Sequence, residues 1–476
     1  MNGWFRPGAR ALGGLLLCAS LTACATVNFD DSLGRANSRV SAFTGARAVL
    51  ARDDAQREAL GARASEILST ALSEDSAVQL AMFNSPQFQA VLARNWERAA
   101  QAAQSGRIAN PVFTFERLHV LDEVEFGRLL TVGLIDLLTY PMRQSVARAR
   151  LSAEEERLAG DVVRKVTEVR KAWVRAVAAS ERLGYARQVY EAAGAAAELA
   201  RRMQEAGNFN AVQRVRQQGF YADAATRLAL AQHEATAGRE ELVRQLGLSQ
   251  AQVPRLVLPE RLPDLPETPR QPDEVSAAAA SGNLDVQVAR AEFEAAARAQ
   301  GLGVVTSLVD VEGGLRRNTF FDDAEGSRAT GRGYELDVTL PVFDWGGMKR
   351  DGMDAGTLAA GNELEAVLRT AGSRLRESYS AYRTAHDIAR HYRQEVIPLQ
   401  QALSEENVLR YNAMLIGVFE LLADARAQIG AVMAGIDALE QFWIADAALQ
   451  AAVMGAGGES SLRGPAAAGE SADAGH

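Results

Sequence analysis

Cysteine is nearly absent: the 476 residues contain two, Cys18 and Cys24. Cys18 lies in an N-terminal apolar run that reads as a removable signal, so the exported chain keeps Cys24 alone and has no internal disulfide. Packing must supply the stability. Histidine is scarce, at five, and no HExxH pattern occurs. His386 and His391 are five apart, off a common helical face, so no zinc site is expected and both read as solvated helix residues. Aromatics make up only 6% of the chain although 47% is hydrophobic. Little aromatic residue beside abundant Ala, Arg, Glu and Leu disfavours a compact enzyme core and favours long helices. The net charge of -9 removes the basic surface that nucleic acid needs. Gly346-Gly347 is too short for a phosphate loop, no constellation for catalysis is present, and no cofactor is expected. Met348, Met353 and Met414 could bring copper to mind, but methionine at helical spacing is ordinarily packing.

The apolar run itself, residues 11–20, is too short to span a bilayer and comes after Arg6 and Arg10, as in a secretory signal covering residues 1–23. Leu21, Thr22 and Ala23 before Cys24 resemble a bacterial lipobox, which implies a diacylglyceryl group on Cys24. Ala25, in place of an aspartate, leans towards the outer membrane in such lipoproteins. Residues 24–66 then form a lipidated N-terminal extension.

The mature chain shows two periodicities. Val162, Val166, Val169, Trp173, Ala176, Ser180 and Leu183 step by four and three within a proline-free stretch from Arg143 to about Ala206, which is a coiled-coil seam. A helix of that length measures roughly 90 Å at 1.5 Å per residue, too long for a small domain. Similar seams run from Leu364 through Tyr382 to Val396 and from Leu422 to Trp443, with Pro398 expected to kink or split the helix it interrupts. Trp173, Tyr382 and Trp443 read as seam residues. Strand alternation appears over residues 334–342 and 305–317, joined by a loop holding Asp322, Asp323, Gly326 and Gly331. A less regular pair spans residues 112–120 and 127–137 around Asp122 and Glu123.

These elements occur twice. Counting 207 positions on carries Leu134 to Pro341, Arg143 to Arg350, Tyr185 to Tyr392 and Gly207 to Met414. Upstream the offset is 198, from Ala81 to Ala279 and Gln89 to Gln287, so the second copy holds nine more residues in its hairpin region. The copies cover residues 67–250 and 274–454. A connector over residues 251–273, with Pro254, Pro259, Pro263, Pro266, Pro269 and Pro272, is expected to be stiff and extended, and residues 455–476 form a disordered tail.

Each copy is thus helix, strand, strand, helix, helix, in a mainly α chain with a small membrane β contribution. Four strands cannot close a barrel, and open edges cannot face lipid with their backbone groups unpaired. Self-assembly is the consequence, with the Tyr, Leu and Val residues of the hairpins towards lipid and Asp310, Glu312, Glu335 and Asp337 towards water.

On three stretches the chain resembles the TolC-type outer-membrane efflux family, over nearly the whole mature length. They are Leu340-Pro341-Val342-Phe343-Asp344-Trp345-Gly346-Gly347 at the strand-to-helix junction, residues 410–426 (RYNAMLIGVFELLADAR), and the duplicated opening helix at residues 79–103. The resemblance implies a homotrimer anchored in outer-membrane lipid, with twelve strands in one barrel and helices in a periplasmic tunnel closed until an inner-membrane pump and a periplasmic adaptor engage it. It implies that Pro341, Asp344, Gly346 and Gly347 shape the junction, the glycines allowing the turn. It places a constriction acid at Glu420, which threefold symmetry makes a ring of three carboxylates. Asp424, one turn on, joins it as a constriction candidate, although it reads more simply as a solvated helix residue. Gln213 matches Glu420 in the first copy and could hydrogen-bond across the tip. The chain departs from the family at Ala423, where a second acid is usual, and at Leu415 and Ile416, where residues able to latch the tip are usual, so closure is expected to rest on packing. The run from Tyr411 to Glu420 looks nearest to branches linked with heavy-metal or copper resistance, which makes metal cations the substrate lean. A periplasmic coiled-coil adaptor or scaffold lipoprotein, a pore-forming adhesin and a secretion duct are the rival readings.

Overall fold

The computed structural model describes residues 28–120, 123–307, 310–322 and 326–456, so Cys24, the signal and all of the tail beyond residue 456 lie outside the described residues. The first helix, α1 (Phe29–Thr44), starts where the Asn28 side chain accepts the Asp30 N–H and ends at Gly45 in the left-handed region. Its buried face of Phe29, Leu33, Ala36 and Val40 joins the main core, and α2 (Asp54–Ile67) comes next.

The first repeat runs α3 (Glu74–Asn84), α4 (Pro86–Gln104), β1 (Val112–Val120), β2 (Glu123–Gly133), the short α5 (Leu134–Leu138), α6 (Tyr140–Glu205) and α7 (Ala211–Leu246). A 3-10 turn, Val253–Arg255, opens the connector. The second repeat runs α8 (Pro272–Gly282), α9 (Leu284–Thr306), β3 (Asp310–Asp322), β4 (Ser327–Thr339), α10 (Gly347–His391), a π turn (Tyr392–Val396), α11 (Ile397–Asn412) and α12 (Val418–Met454). At 66 residues, α6 is about 100 Å long. None of the helices among the described residues is long and apolar enough to cross a membrane.

The two offsets hold at the level of single residues. The opening helices break at Ser85 and again 198 positions on, at Asn283, and the first strand of each copy begins in step, β1 at Val112 and β3 at Asp310. Downstream, α6 starts at Tyr140 and α10 at Gly347, 207 positions apart, and the helical hairpins turn at Ala206 and Ala413. Pro398 sits just after the π turn, whose wider winding gives the ring room beside the preceding carbonyls. The chain therefore stays helical from α10 through the π turn into α11.

The strand ends differ from expectation. β2 begins four residues before 127 and stops at Gly133, because residues 134–138 turn into helix, and β3 begins at Asp310 because residues 305–306 still belong to α9. β4 begins at Ser327, well before Tyr334, and Leu340 to Val342 lie past its end. Alternation marks where one face is apolar; it does not mark where hydrogen bonding begins. All four strands pair antiparallel in the order β1-β2-β3-β4, so the two repeats share one sheet through the β2–β3 pairing, from Glu123 opposite Asp322 to Gly133 opposite Glu312.

Packing keeps to the seams. Val162, Val166, Val169, Trp173 and Ala176 are buried on α6, whereas Ser180 of the same seam is exposed. The connector is held against this core by side chains of α10 and α12. Trp443 Nε1 donates to the Pro263 carbonyl (3.1 Å), His386 Nε2 lies 3.1 Å from the Pro266 carbonyl, and Tyr382 Oη accepts from the Arg270 N–H (3.1 Å). His386 is thus 0% exposed, contrary to its reading as a solvated residue, because the connector covers it; His391 does remain exposed. Met353 packs against Gly303, whereas Met348 and Met414 stand exposed.

One ionic knot ties the repeats together. Arg182 on α6 contacts Glu440 (2.5 Å) and Asp437 (2.8 Å) on α12 and lies 3.8 Å from Glu234 on α7. Burial pushes the Glu440 carboxyl above its ordinary range and Arg182 pulls it back. Removing one partner of such a pair leaves the other charge buried and uncompensated. Arg182→Met is therefore expected to cost about 3 kcal/mol at neutral pH. Without the cation the folded-state pKa of Glu440 rises further, so the loss is largest above that pKa and shrinks as pH falls through it. Thermal melts of both proteins across an acid-to-neutral pH series check the sign.

Candidate functional site

Three places were singled out by sequence: the strand-to-helix junction, the tip of the helical hairpins, and the two faces of the sheet. At the junction the chain leaves β4 at Thr339, and the Val342 N–H closes a tight turn on the Leu340 carbonyl (2.8 Å) around Pro341. Asp344 Oδ1 then accepts the Gly346 N–H (2.8 Å), and Gly346 caps α10 at φ 70. A Cβ at Gly346 would come within 2.8 Å of the Ser307 carbonyl oxygen, so both the backbone conformation and the space require glycine there. Gly347 is already helical, with open space around it. The first glycine alone makes the turn. Val342, Phe343 and Trp345 all stand exposed around it.

The two hairpin tips have the same backbone. In the first, the N–H groups of Ala206, Gly207 and Asn208 donate to Arg202, Gln204 and Met203; in the second, those of Ala413, Met414 and Leu415 donate to Leu409, Tyr411 and Arg410. Each bond recurs 207 positions on. Gly207 takes φ 76 and Met414 φ 58, the latter being the one non-glycine residue with positive φ among the described residues.

Beyond the turns the two copies diverge. Asn210 and Gln213 form a reciprocal capping box on α7, each side-chain oxygen accepting the other's backbone N–H at 2.8 Å. Gln213 thus spends its carbonyl oxygen on its own helix, leaving only its amide group for contacts across a tip. In the second copy Gly417 caps α12 without a side chain, and Glu420 occupies the third position, exposed and favoured there by the helix dipole. One turn further, Asp424 is only 8% exposed, and both its carboxylate oxygens are buried without a hydrogen-bond partner in the chain. It is not a solvated residue. Gln217, 207 positions before it, is 2% exposed with its Oε1 equally unpartnered. Both copies therefore bury a polar group one turn behind the tip, a correspondence available from the repeat offset but invisible to a search for acids alone. Glu420 and Asp424 share a helix face, yet one is open to water and the other is covered within the hairpin.

The register sorts the sheet into two faces, since residues opposite each other on paired strands point the same way. One face carries Phe113, Leu130, Leu315 and Tyr334 in a single row, with Val311, Val338 and Leu336 on the side nearer the helices. The other carries Asp310, Glu312, Glu335 and Asp337, as expected, together with Glu116, Glu123 and Glu125. Arg316 on this second face bridges Glu335 (3.3 Å) and Glu116 (3.6 Å), and Gly127, Gly314, Gly331 and Gly333 keep it shallow. No trio of metal-ligating side chains is assembled among the described residues.

The tip turn offers a direct check of the repeat geometry. Met414→Gly removes a strained conformation and is expected to stabilise the chain by about 1 kcal/mol, and Gly207→Ala to cost about as much. Opposite shifts in melting temperature confirm this; shifts of equal sign refute it.

No family model and no protein of curated function matches the chain. Solved structures do. A membrane protein from Pseudomonas aeruginosa superposes with a TM-score of 0.66 at 19% identity, covering 80% of this chain and 93% of that one. The outer membrane protein VceC from Vibrio cholerae gives 0.63 at 14% identity over 84% and 96%, and the Campylobacter jejuni CmeC outer membrane channel 0.67 at 13% over 88% and 91%. The fold is that of TolC-type outer-membrane channels.

Proposed function

We propose that this chain is the outer-membrane channel of a tripartite efflux system, a homotrimeric duct that carries solutes handed to it by an inner-membrane pump and a periplasmic adaptor, with no chemistry of its own. The observation that carries the reading is the sheet: four antiparallel strands with an apolar face, an acidic face and two free edges, mounted on helices of which the longest measures about 100 Å. Free edges within lipid are untenable, so β1 of one copy pairs with β4 of the next and three copies close twelve strands. Large apolar side chains left exposed on the helices, among them Val212, Val215, Leu358, Leu399 and Leu409, supply surface for the contacts between copies. The adaptor-lipoprotein reading gives no use for a two-faced sheet.

In this reading Glu420 contributes one carboxylate per copy to a ring at the closed tip, and Asp424 stands behind it. Phe343 and Trp345 mark the inner membrane boundary as an aromatic girdle. The acidic lumen and the wording around Glu420 favour cations as cargo, metal ions first. Cys24 carries lipid that orients each copy during assembly, while the strands make the crossing. Purified protein reconstituted in planar bilayers is expected to open discrete pores and to run as a trimer on mild gels. Glu420→Ala should relieve block by multivalent cations severalfold, and Cys24→Ala behind a cleavable signal should still yield trimers. Monomers without conductance from the wild-type chain would refute the channel.

A further inference from the structure

The apolar face of the sheet does not stay apolar to its far end. One row beyond Phe113, Leu130, Leu315 and Tyr334, the register sets Phe115, Arg128, Arg317 and Arg332 side by side on the four strands. Arg128 stands opposite Arg317, and Arg317 opposite Arg332. Neighbouring strands lie only about 4.8 Å apart, and like charges directly opposite one another are destabilising. Yet among the described residues this face holds no acid at all: every strand carboxylate points to the other side. None of the three arginines has an ion-pair partner among the described residues, and Arg128 reaches only the Thr319 hydroxyl (3.4 Å).

Two more cations extend the patch outward on the same face. Arg117 lies over the Phe126 ring at 5.7 Å and Arg328 over the Phe321 ring at 5.3 Å, so each guanidinium is steadied by an aromatic and still open to solvent. Nearer the helices, Tyr334, Leu336 and Val338 on β4 stand on this face with Leu315 and Val311 of β3, and Leu340 and Val342 follow beyond the strand end. The arginine row begins where these apolar rows end.

We propose that Arg128, Arg317 and Arg332 form a docking surface for the phosphate groups of anionic lipid headgroups in the leaflet remote from the helices. The inference rests on the sheet being a barrel wall. Guanidinium forks suit phosphate oxygens bidentately, and lipid phosphates border the hydrocarbon as the arginine row borders the apolar rows of the sheet. A bound phosphate also removes the repulsion that the row otherwise carries. Three copies would present three such surfaces around the barrel.

The test uses the full-length trimer in neutral detergent, titrated with a diphosphoryl glycolipid, with its dephosphorylated form and with inorganic phosphate, while melting temperature and native mass spectra are recorded. The phosphorylated glycolipid is expected to raise the melting temperature and to remain bound, and the other two to do neither. R128Q/R317Q/R332Q should weaken its binding at least about tenfold, equivalent to about 1.4 kcal/mol, with conductance retained. Should the triple variant fail to assemble, R332Q on the edge strand is read in the same way, with a smaller loss. Equal binding by the dephosphorylated lipid, a full shift with inorganic phosphate, or unchanged binding by the variants overturns the proposal. Normal pores without phosphate preference would sink this inference alone, whereas absence of wild-type pores would sink the channel reading beneath it.

Discussion

Every backbone N–H and C=O on a strand edge needs a partner, and in hydrocarbon no water supplies one. In the proposed channel that constraint organises the chain. Its sheet pairs the two repeats through β2 and β3 and leaves β1 and β4 open, which is why the proposed channel takes more than one chain. The helices answer the same demand from below. Exposed leucines and valines on α7, α10 and α11 are the surface on which the proposed assembly would pack further copies. Stability within the chain comes from the α6 seam, the stapled connector and the Arg182 knot, all placed where both repeats meet.

Duplication explains why much of this was legible in the sequence. The offset of 207 fixes the start of α10 from that of α6 and transfers the tip turn bond for bond, although Gly207 becomes Met414. The seam on α6 was legible through Trp173 and Ala176, and the two faces around Asp310, Glu312, Glu335 and Asp337 were legible from alternation. Strand ends were not, because residues 134–138 and 305–306 keep apolar character while the backbone is helical. His386 and Asp424 show a second limit. A helical pattern says which residues share a face but not that a proline-rich connector lies over one of them or that a hairpin closes over the other. The arginine row needed the register itself, since Arg128, Arg317 and Arg332 fall on three strands whose pairing no local pattern fixes.

The two tips divide labour in a way the repeat alone does not predict. The first copy closes its turn with a glycine and a capping box, each of the two cap donors answered locally. In the second, Met414 takes a strained conformation and Gly417 offers no side-chain cap, and the unpartnered polar group that both copies bury one turn back is here the carboxylate of Asp424 in place of the amide of Gln217. Strain and unmet polar groups collect at sites where structure is subordinate to function.

Unequal strand lengths bear on the outer mouth. β1 has nine residues and β4 thirteen, because the additional residues of the second repeat lengthen its hairpin away from the helices. If β4 of one copy is zipped to β1 of its neighbour, four residues of β4 keep β3 beside them but have no strand on the outer edge. The mouth is then crenellated, with a merlon at each second hairpin and a notch at each first. Bare peptide groups are harmless in water, and the notches would be the shortest way out for a hydrated ion leaving the lumen sideways.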